Sequence, residues 1–322
     1  MDIHAARALI ARDMERVNEL IHRRLHSDVG LIDQLGHYIV NSGGKRLRPA
    51  VVLLAAGASG YTGRRHIDLA AIVEFIHTAP LLHDDVVDSS QLRRGRATAN
   101  QRGGNEASVL VGDFLYSRAF QMMVDLNSMR IMEVLSDATN TIAEGEVQQL
   151  LNRHDPTTTE GRYLQVVHNK TAKLFEAAAQ LGGIIGGCSP EQERTLSDYG
   201  RHLGVAYQLI DDVLDYSATS DELGKNIGDD LAEGKPTLPL LYAMWNSAAE
   251  RSRTIREAIE NGGLDRLDGI LEAIESTGAI AYTAQRARNE SDAAIRVLDA
   301  VPVSVYRDAL VAVGRFAVER TH

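Results

Sequence analysis

The string Asp-Asp-x-x-Asp occurs twice in this chain, as Asp84-Asp85-Val86-Val87-Asp88 and as Asp211-Asp212-Val213-Leu214-Asp215. Each copy closes a long apolar segment with helical spacing. Residues four apart share a helix face, so Asp84 stacks with Asp88 and Asp211 with Asp215. Like charges at that spacing repel by about a few tenths of a kcal/mol when exposed, and by more when partly buried. One such cluster reads as a solvated acidic helix end. Two, each preceded by an apolar helix, call for bound cations.

The rest of the chain supplies a frame of helices. Aromatic residues are 5% and prolines number 7, while Ala, Leu and Ile recur throughout, so the chain is expected to be all-α. Residues 3–40 read as two amphipathic helices, with Ser27-Asp28 capping the second. A basic turn, Gly43-Gly44-Lys45-Arg46-Leu47-Arg48-Pro49, leads into a helix over Ala50 to Ala58. A long helix over Ile67 to Asp88 ends in the first aspartate cluster. Further helical patterns cover Glu106 to Leu126, Arg130 to Leu151, Thr159 to Gly187 and Pro190 to Tyr216, the last ending in the second cluster. The segment from Ser217 to Pro239 is polar and glycine-rich and reads as a mobile loop, and helices resume from Leu240. No linker, low-complexity run or strand-rich block interrupts the chain, which predicts one all-α domain over residues 1–322.

Composition narrows the setting. A net charge of −10 argues against nucleic acid as a partner, and an anionic ligand would need local basic groups and metal to overturn that sign. The single cysteine, Cys188, excludes an internal disulfide framework and favours a reducing compartment. The N-terminal residues alternate charge and apolar groups, unlike a signal peptide. The longest apolar run, Ala50 to Ala58, is about half of what a membrane span needs. A cytoplasmic protein without a transmembrane segment is expected.

In the second cluster Gln208, Asp211, Asp212 and Asp215 fall on one helical stripe, and His77, Leu81, Asp84 and Asp88 form a comparable line in the first. Hard oxygen donors without Cys or His at ligand spacing fit Mg2+ rather than zinc. Mg2+ favours one or two carboxylates completed by substrate phosphates. Two such clusters would hold Mg2+ ions bridging to a diphosphate. The basic residues Lys45, Arg48, Arg93, Arg94, Lys225 and Lys235 flank the clusters and suit phosphate, arginine as a bidentate fork and lysine as a point charge.

The ordered strings GGKRLRP (43–49), HTAPLLHDDVVD (77–88), LRRG (92–95), GNEASVLVGD (104–113), KTA (170–172), YQLIDDVLD (207–215), GKNIGDDL (224–231) and EGKPTLPL (233–240) resemble the trans-isoprenyl diphosphate synthases, in particular the bacterial octaprenyl and related long-chain polyprenyl synthases. The resemblance covers nearly the whole chain and is weakest in its last eighty residues. It implies a bundle of long helices around a central cavity, a homodimer, and head-to-tail all-trans elongation of an allylic diphosphate by isopentenyl diphosphate. The cofactor implied is Mg2+, three ions per active site.

On the same resemblance, Asp84 and Asp88 are metal ligands with Asp85 in support. Asp211 leads the second motif with Asp212 and Asp215. Lys45, Arg48, His77 and Arg94 correspond to the isopentenyl diphosphate site, and Arg93, Lys170, Lys225 and Lys235 to the allylic diphosphate grip. Thr171 and Gln208 would flank the carbocation, where a hydroxyl and an amide dipole stabilise positive charge without trapping it. Released diphosphate would take the proton, so no side chain is assigned as general base.

Ala79 stands five residues before the first motif, where short-chain members carry a bulky aromatic that closes the cavity, so a long product is expected. Ile72 would lie about 10 Å further down the helix at roughly 1.5 Å per residue, and Phe120 or Met123 is expected to form the tunnel floor. Pro80 removes a hydrogen bond to the carbonyl of Ile76 and should kink the helix. The destination implied is a quinone side chain, with transient membrane contact for product release. Three rivals are a farnesyl- or geranylgeranyl-length synthase, a class I terpene cyclase and a non-catalytic subunit of a heteromeric synthase. Ala79 argues against the first. The basic turn together with the second Asp-Asp-x-x-Asp argues against the second. The presence of both motifs argues against the third.

Overall fold

The expected helices form in the computed structural model, which describes residues 1–93, 95–217 and 228–320. Apart from a two-residue antiparallel hairpin, Leu92–Arg93 with Arg96–Ala97, the regular structure of the described residues is helical. The expected positions Arg94 and Lys225 lie outside the described residues.

Three local differences from the sequence reading have physical causes. Residues 3–40 form three helices, Ile3–Leu9, Ala11–Leu25 and Gly30–Val40. The third has Val29 at its cap position with no side-chain bond, while Ser27 instead accepts from the Val29 amide at 3.2 Å. The segment after the first aspartate motif contains a short helix, Ala99–Gly103, beside the hairpin. The helix expected over Thr159 to Gly187 is broken into Glu160–Val167 and Lys173–Ile185 by a π-helical turn, His168–Ala172. Such turns insert one residue into a helix and recur at functional sites.

Internal contacts gather the chain into two compact units. The first comprises Met1–Thr139, Leu174–Gly200 and Ile295–Val313. Its centre is the helix Arg65–Val87, buried on almost every side from Ile67 to Leu82, packed by Ala11–Leu25, Leu47–Ala58 and Asn105–Asp125. Small residues set the spacing. A Cβ at Gly182 would lie 2.5 Å from that of Ala55 and 2.7 Å from the Ala56 nitrogen, closer than any real contact. Tyr199, fully buried, donates to the Leu310 carbonyl at 2.8 Å, so its hydroxyl is satisfied inside the core. The helix Arg65–Val87 runs through Pro80 without interruption.

The second unit comprises Asn140–Lys173, Arg201–Ala294 and Gly314–His322. Its core brings Tyr163, Val167, Leu209 and Leu214 together with Leu238, Leu241, Ile255, Ile259, Ile270 and Ile274. No helix of the described residues is long and apolar enough to cross a membrane.

Candidate active site

The first unit places its site residues around the end of Arg65–Val87. Asp84 and Asp88 are half-buried, whereas Asp85, 100° further round the helix than Asp84, has no exposed side-chain surface. Arg93 Nε donates to Asp85 Oδ1 at 2.8 Å. Burial pushes the Asp85 carboxyl above the usual carboxylate range, with the Arg93 charge pulling it back down. The hairpin that carries Arg93 is therefore tied to the motif by a buried ion pair. Asp88 ends the helix, its amide donating to the Asp84 carbonyl at 2.8 Å.

The basic turn has positive φ at Gly43 (94°), Gly44 (138°) and Arg46 (50°). Glycine adopts these freely, but the left-handed conformation of Arg46 needs support. It has it: Arg46 pairs with the buried Glu74 and donates to the Val40 carbonyl at 2.9 Å. That turns Arg46 inward to structural use. Arg48 reaches His77, Nη1 to Nε2 at 3.3 Å, and its guanidinium lies 4.4 Å from the Phe175 ring centroid. Lys45 is half-buried on the same turn.

Beneath the motif, Ala79 is fully buried, and Pro80 half-buried. A Cβ at Gly112 would sit 3.1 Å from the Ala79 carbonyl and 2.3 Å from His83 Nε2, so the two helices cross there at close range. Of the two expected floor residues, Met123 is buried, but Phe120 is 37% exposed. Phe120 shares the outward face of Asn105–Asp125 with Leu110 and Val124, ten residues before it and four after it, which at about 100° per residue fall within about 80° of it, while Ala119, Met122 and Met123 are buried.

In the second unit the stripe expected for the second motif is divided by burial. Asp211 has a side chain 42% exposed and pairs with Arg320, Nη1 to Oδ1 at 2.5 Å. The Arg320 guanidinium also stacks 3.7 Å from the Tyr207 ring centroid and donates to the Tyr207 carbonyl. Asp215 is fully buried, and the Gly228 amide donates to its carbonyl at 3.2 Å. Asp212 is only 3% exposed. Tyr163 Oη donates to its Oδ2 at 2.5 Å and Gln208 Nε2 to its Oδ1 at 2.8 Å. Burial pushes its carboxyl up to about 7, with the Asp230 charge adding and the bonds from Tyr163 and Gln208 opposing. The helix thus turns Asp212 and Asp215 into the unit's interior and leaves Asp211 as the accessible carboxylate of the motif.

The π-helical turn carries Lys170 and Thr171. Gly145, on the helix Met129–Asn152, lets that turn approach, since a Cβ there would lie 2.6 Å from the Lys170 nitrogen. Lys170 Nζ is held by Gln149 Oε1 at 2.8 Å and Glu146 at 2.6 Å, and Thr171 Oγ1 donates to Gln208 Oε1 at 2.9 Å. Lys235 is half-buried and paired with Glu233. Glu146, Gln149, Tyr163 and Arg320 were not foreseen. Glu146 and Gln149 share a helix face three residues apart, a signal visible in the sequence; Tyr163 and Arg320 reach the motif only through the fold.

The donor chemistry fits Mg2+. Asp84, Asp88 and Asp211 are accessible hard oxygens, and the neighbouring imidazole of His83 is engaged by the Val109 carbonyl at 3.2 Å and Asp113 at 3.4 Å. Among the described residues no three His, Cys, Asp or Glu side chains gather as a metal cluster. A site of one or two carboxylates per ion, completed by phosphate and water, is what Mg2+ ordinarily uses.

Comparison with known proteins identifies the family. The polyprenyl synthetase family profile matches residues 29–274. The octaprenyl diphosphate synthase of Escherichia coli is 56% identical over 321 residues, 99% of each chain. The all-trans-nonaprenyl-diphosphate synthase (geranyl-diphosphate specific) of Rhodobacter capsulatus is 47% identical over 314 residues, 97% of this chain and 96% of that one. A polyprenyl synthase from Caulobacter crescentus, solved in complex with calcium and isoprenyl diphosphate, superposes with a TM-score of 0.96 at 43% identity, covering 100% of this chain and 98% of that one. The chain is a member of the polyprenyl synthetase family, a transferase with the all-α isoprenoid synthase fold.

Proposed function

We propose that this enzyme adds isopentenyl diphosphate units to an allylic diphosphate, with all-trans geometry, and releases an octaprenyl or neighbouring long-chain diphosphate used for quinone side chains. The observation that carries the long product is Ala79, fully buried one turn below the first aspartate motif, where nothing larger than a methyl group stands. The octaprenyl and nonaprenyl relatives support the same range.

Asp84, Asp88 and Asp211 would hold Mg2+, three ions per active site, and the calcium in the related structure supports a divalent cation. Bound Mg2+ would neutralise the departing diphosphate, which is the charge that has to be stabilised. The chain's own residues then hold the reactants. Arg48, His77 and Lys45, with Arg94, take the diphosphate of isopentenyl diphosphate, and Arg93, Lys170, Lys225 and Lys235 grip the allylic one. Thr171 and Gln208 present neutral dipoles to the allylic cation, and the released diphosphate accepts the proton.

The catalytic unit is the whole chain acting as one domain, in a cytoplasmic homodimer that touches the membrane only to release product. The exposed stripe of Leu110, Phe120 and Val124 supports self-association.

Incubation of the purified chain with isopentenyl diphosphate, farnesyl diphosphate and Mg2+, followed by reversed-phase chromatography, tests the reading. Products of octaprenyl length or its neighbours are expected. A product stopping at geranylgeranyl length would refute the long chain, and inactivity without a second protein would indicate a subunit. Asp84→Ala and Asp211→Ala should each abolish turnover; full activity in either removes the metal assignment.

A further inference from the structure

Four side chains of the second unit form one hydrogen-bonded line: Tyr163 to Asp212, Asp212 to Gln208, and Gln208 to Thr171, at 2.5, 2.8 and 2.9 Å. The two ends of a glutamine amide have the same shape, so only the partners decide which edge is oxygen and which is NH2. Asp212 decides it here. A carboxylate oxygen accepts, so the edge of Gln208 that faces Asp212 is NH2 and the opposite edge is the carbonyl. That carbonyl takes the Thr171 hydroxyl hydrogen, and the Thr171 lone pairs are left for whatever lies beyond.

Tyr163 completes the arrangement. Its hydroxyl is buried with the Asp212 carboxylate and bonds Oδ2, the oxygen that Gln208 does not use. A phenol can donate or accept. Whether Asp212 is charged or carries a proton directed at Tyr163, the oxygen facing Gln208 stays an acceptor. The amide sense is therefore fixed in either state.

We propose that Asp212 and Tyr163 are positioning residues that lock the amide of Gln208, and through it the hydroxyl of Thr171, with oxygen presented to the allylic cation. This rests on the reading above that Gln208 and Thr171 flank that cation. A reversed amide would offer N–H hydrogens to a developing positive charge and raise the barrier. Asp212 then serves the reaction by orienting an amide, at a position whose neighbour Asp211 serves by holding metal.

Asp212→Asn tests this with almost no change in shape. The Asn carbonyl would take the Tyr163 hydroxyl hydrogen, because the opposite rotamer leaves that hydrogen buried without an acceptor; its NH2 would then face Gln208 and turn that amide over. A fall in kcat on the order of 100-fold is expected, with KM for both diphosphates unchanged. Mn2+ binding to the substrate-free protein, followed by electron paramagnetic resonance, should also match the wild type. Adding Gln208→Glu to Asp212→Asn should recover most of the lost kcat, because a carboxylate at 208 accepts from both Asn and Thr171 and again presents oxygen. Tyr163→Phe, which leaves every other partner in place, should lower kcat about tenfold and decides the matter if the first variant does not fold. Unchanged kcat in both single variants, weakened Mn2+ binding in Asp212→Asn, or no recovery in the double variant would each overturn the proposal. Gln208→Ala and Thr171→Ala separate the two levels: if neither lowers kcat, the reading that these residues flank the cation fails, whatever Asp212 does.

Discussion

Gly145→Ala sets helix propensity against tertiary packing. On propensity alone the change should stabilise the helix Met129–Asn152 by about 0.5–1 kcal/mol. The structure reverses the sign. The added methyl would lie 2.6 Å from the Lys170 nitrogen and 2.9 Å from both the Asn169 carbonyl carbon and its Cβ. Comfortable separation is about 3.5–4 Å, so backbone has to retreat by roughly 1 Å. No rotamer change relieves a clash with main chain. Overpacking of this kind costs about 1–3 kcal/mol, which leaves a net loss of about 1 kcal/mol after the gain in propensity.

The larger effect should be on turnover. The retreating segment is the π-helical turn that carries Lys170 and Thr171. Displacement of a positioning group by about 1 Å costs on the order of 100-fold in rate. The bonds from Lys170 to Glu146 and Gln149 cannot hold the turn in place, because those side chains are flexible and move with the ammonium. Urea melts and steady-state kinetics on the same preparation check both effects. A Gly145→Ala protein as stable as the wild type, with unchanged kcat and KM, would refute the claim that this crossing sets the position of the turn.

Three further outcomes are expected. Asp85→Asn should raise KM for the allylic diphosphate several-fold without touching substrate, because the buried carboxylate is what holds Arg93; an unchanged KM would show that Arg93 needs no such anchor. Ala79→Phe should shift products to shorter chains, read by chromatography, and an unaltered product mixture would count against Ala79 as the residue that leaves the tunnel open. Glu290→Gln should cost about 1 kcal/mol at pH 7, because the amide oxygen can still accept the bond that His202 makes at 2.6 Å but no longer carries the charge that strengthens it. Burial raises the Glu290 carboxyl, but the His202 bond and charge outweigh it and hold the group below its usual value of 4.5. A depressed carboxylate contributes stability above its unfolded pKa and loses it as pH falls through the folded value. The penalty of Glu290→Gln in urea melts should therefore shrink below about pH 4.5, and a penalty that persists there would point to packing instead.

Helical periodicity made most of the fold and both aspartate motifs legible, because side-chain spacing on a helix is a local property. What was hidden depends on contacts far away in the chain. The stretch from Thr159 to Gly187 has no local signal for a π-helical turn; that turn is seated where Gly145 allows close approach and where Gln148 accepts from Asn169 at 2.9 Å. Arg320 reaches Asp211 across more than a hundred residues, and nothing near the end of the chain marks it. Phe120 and Met123 lie only about 60° apart round the helix, and the packing of Asn105–Asp125 decides that the boundary between its buried and exposed faces runs between them.

The two aspartate motifs are alike as strings and alike in one structural respect that the strings do not reveal. In each, the first aspartate is accessible and the second, 100° round the helix, is buried. A buried carboxylate must be satisfied, and each finds its partner in a residue assigned to substrate: Asp85 in Arg93, Asp212 in Gln208. Under the proposed function the second position of each motif therefore orients the residue that meets the substrate, Arg93 on the allylic diphosphate and Gln208 at the cation, while the first position meets the metal. Substitution should separate the two roles in both motifs: loss at Asp84 or Asp211 should be felt in Mn2+ binding, and loss at Asp85 or Asp212 in KM or kcat with Mn2+ binding intact.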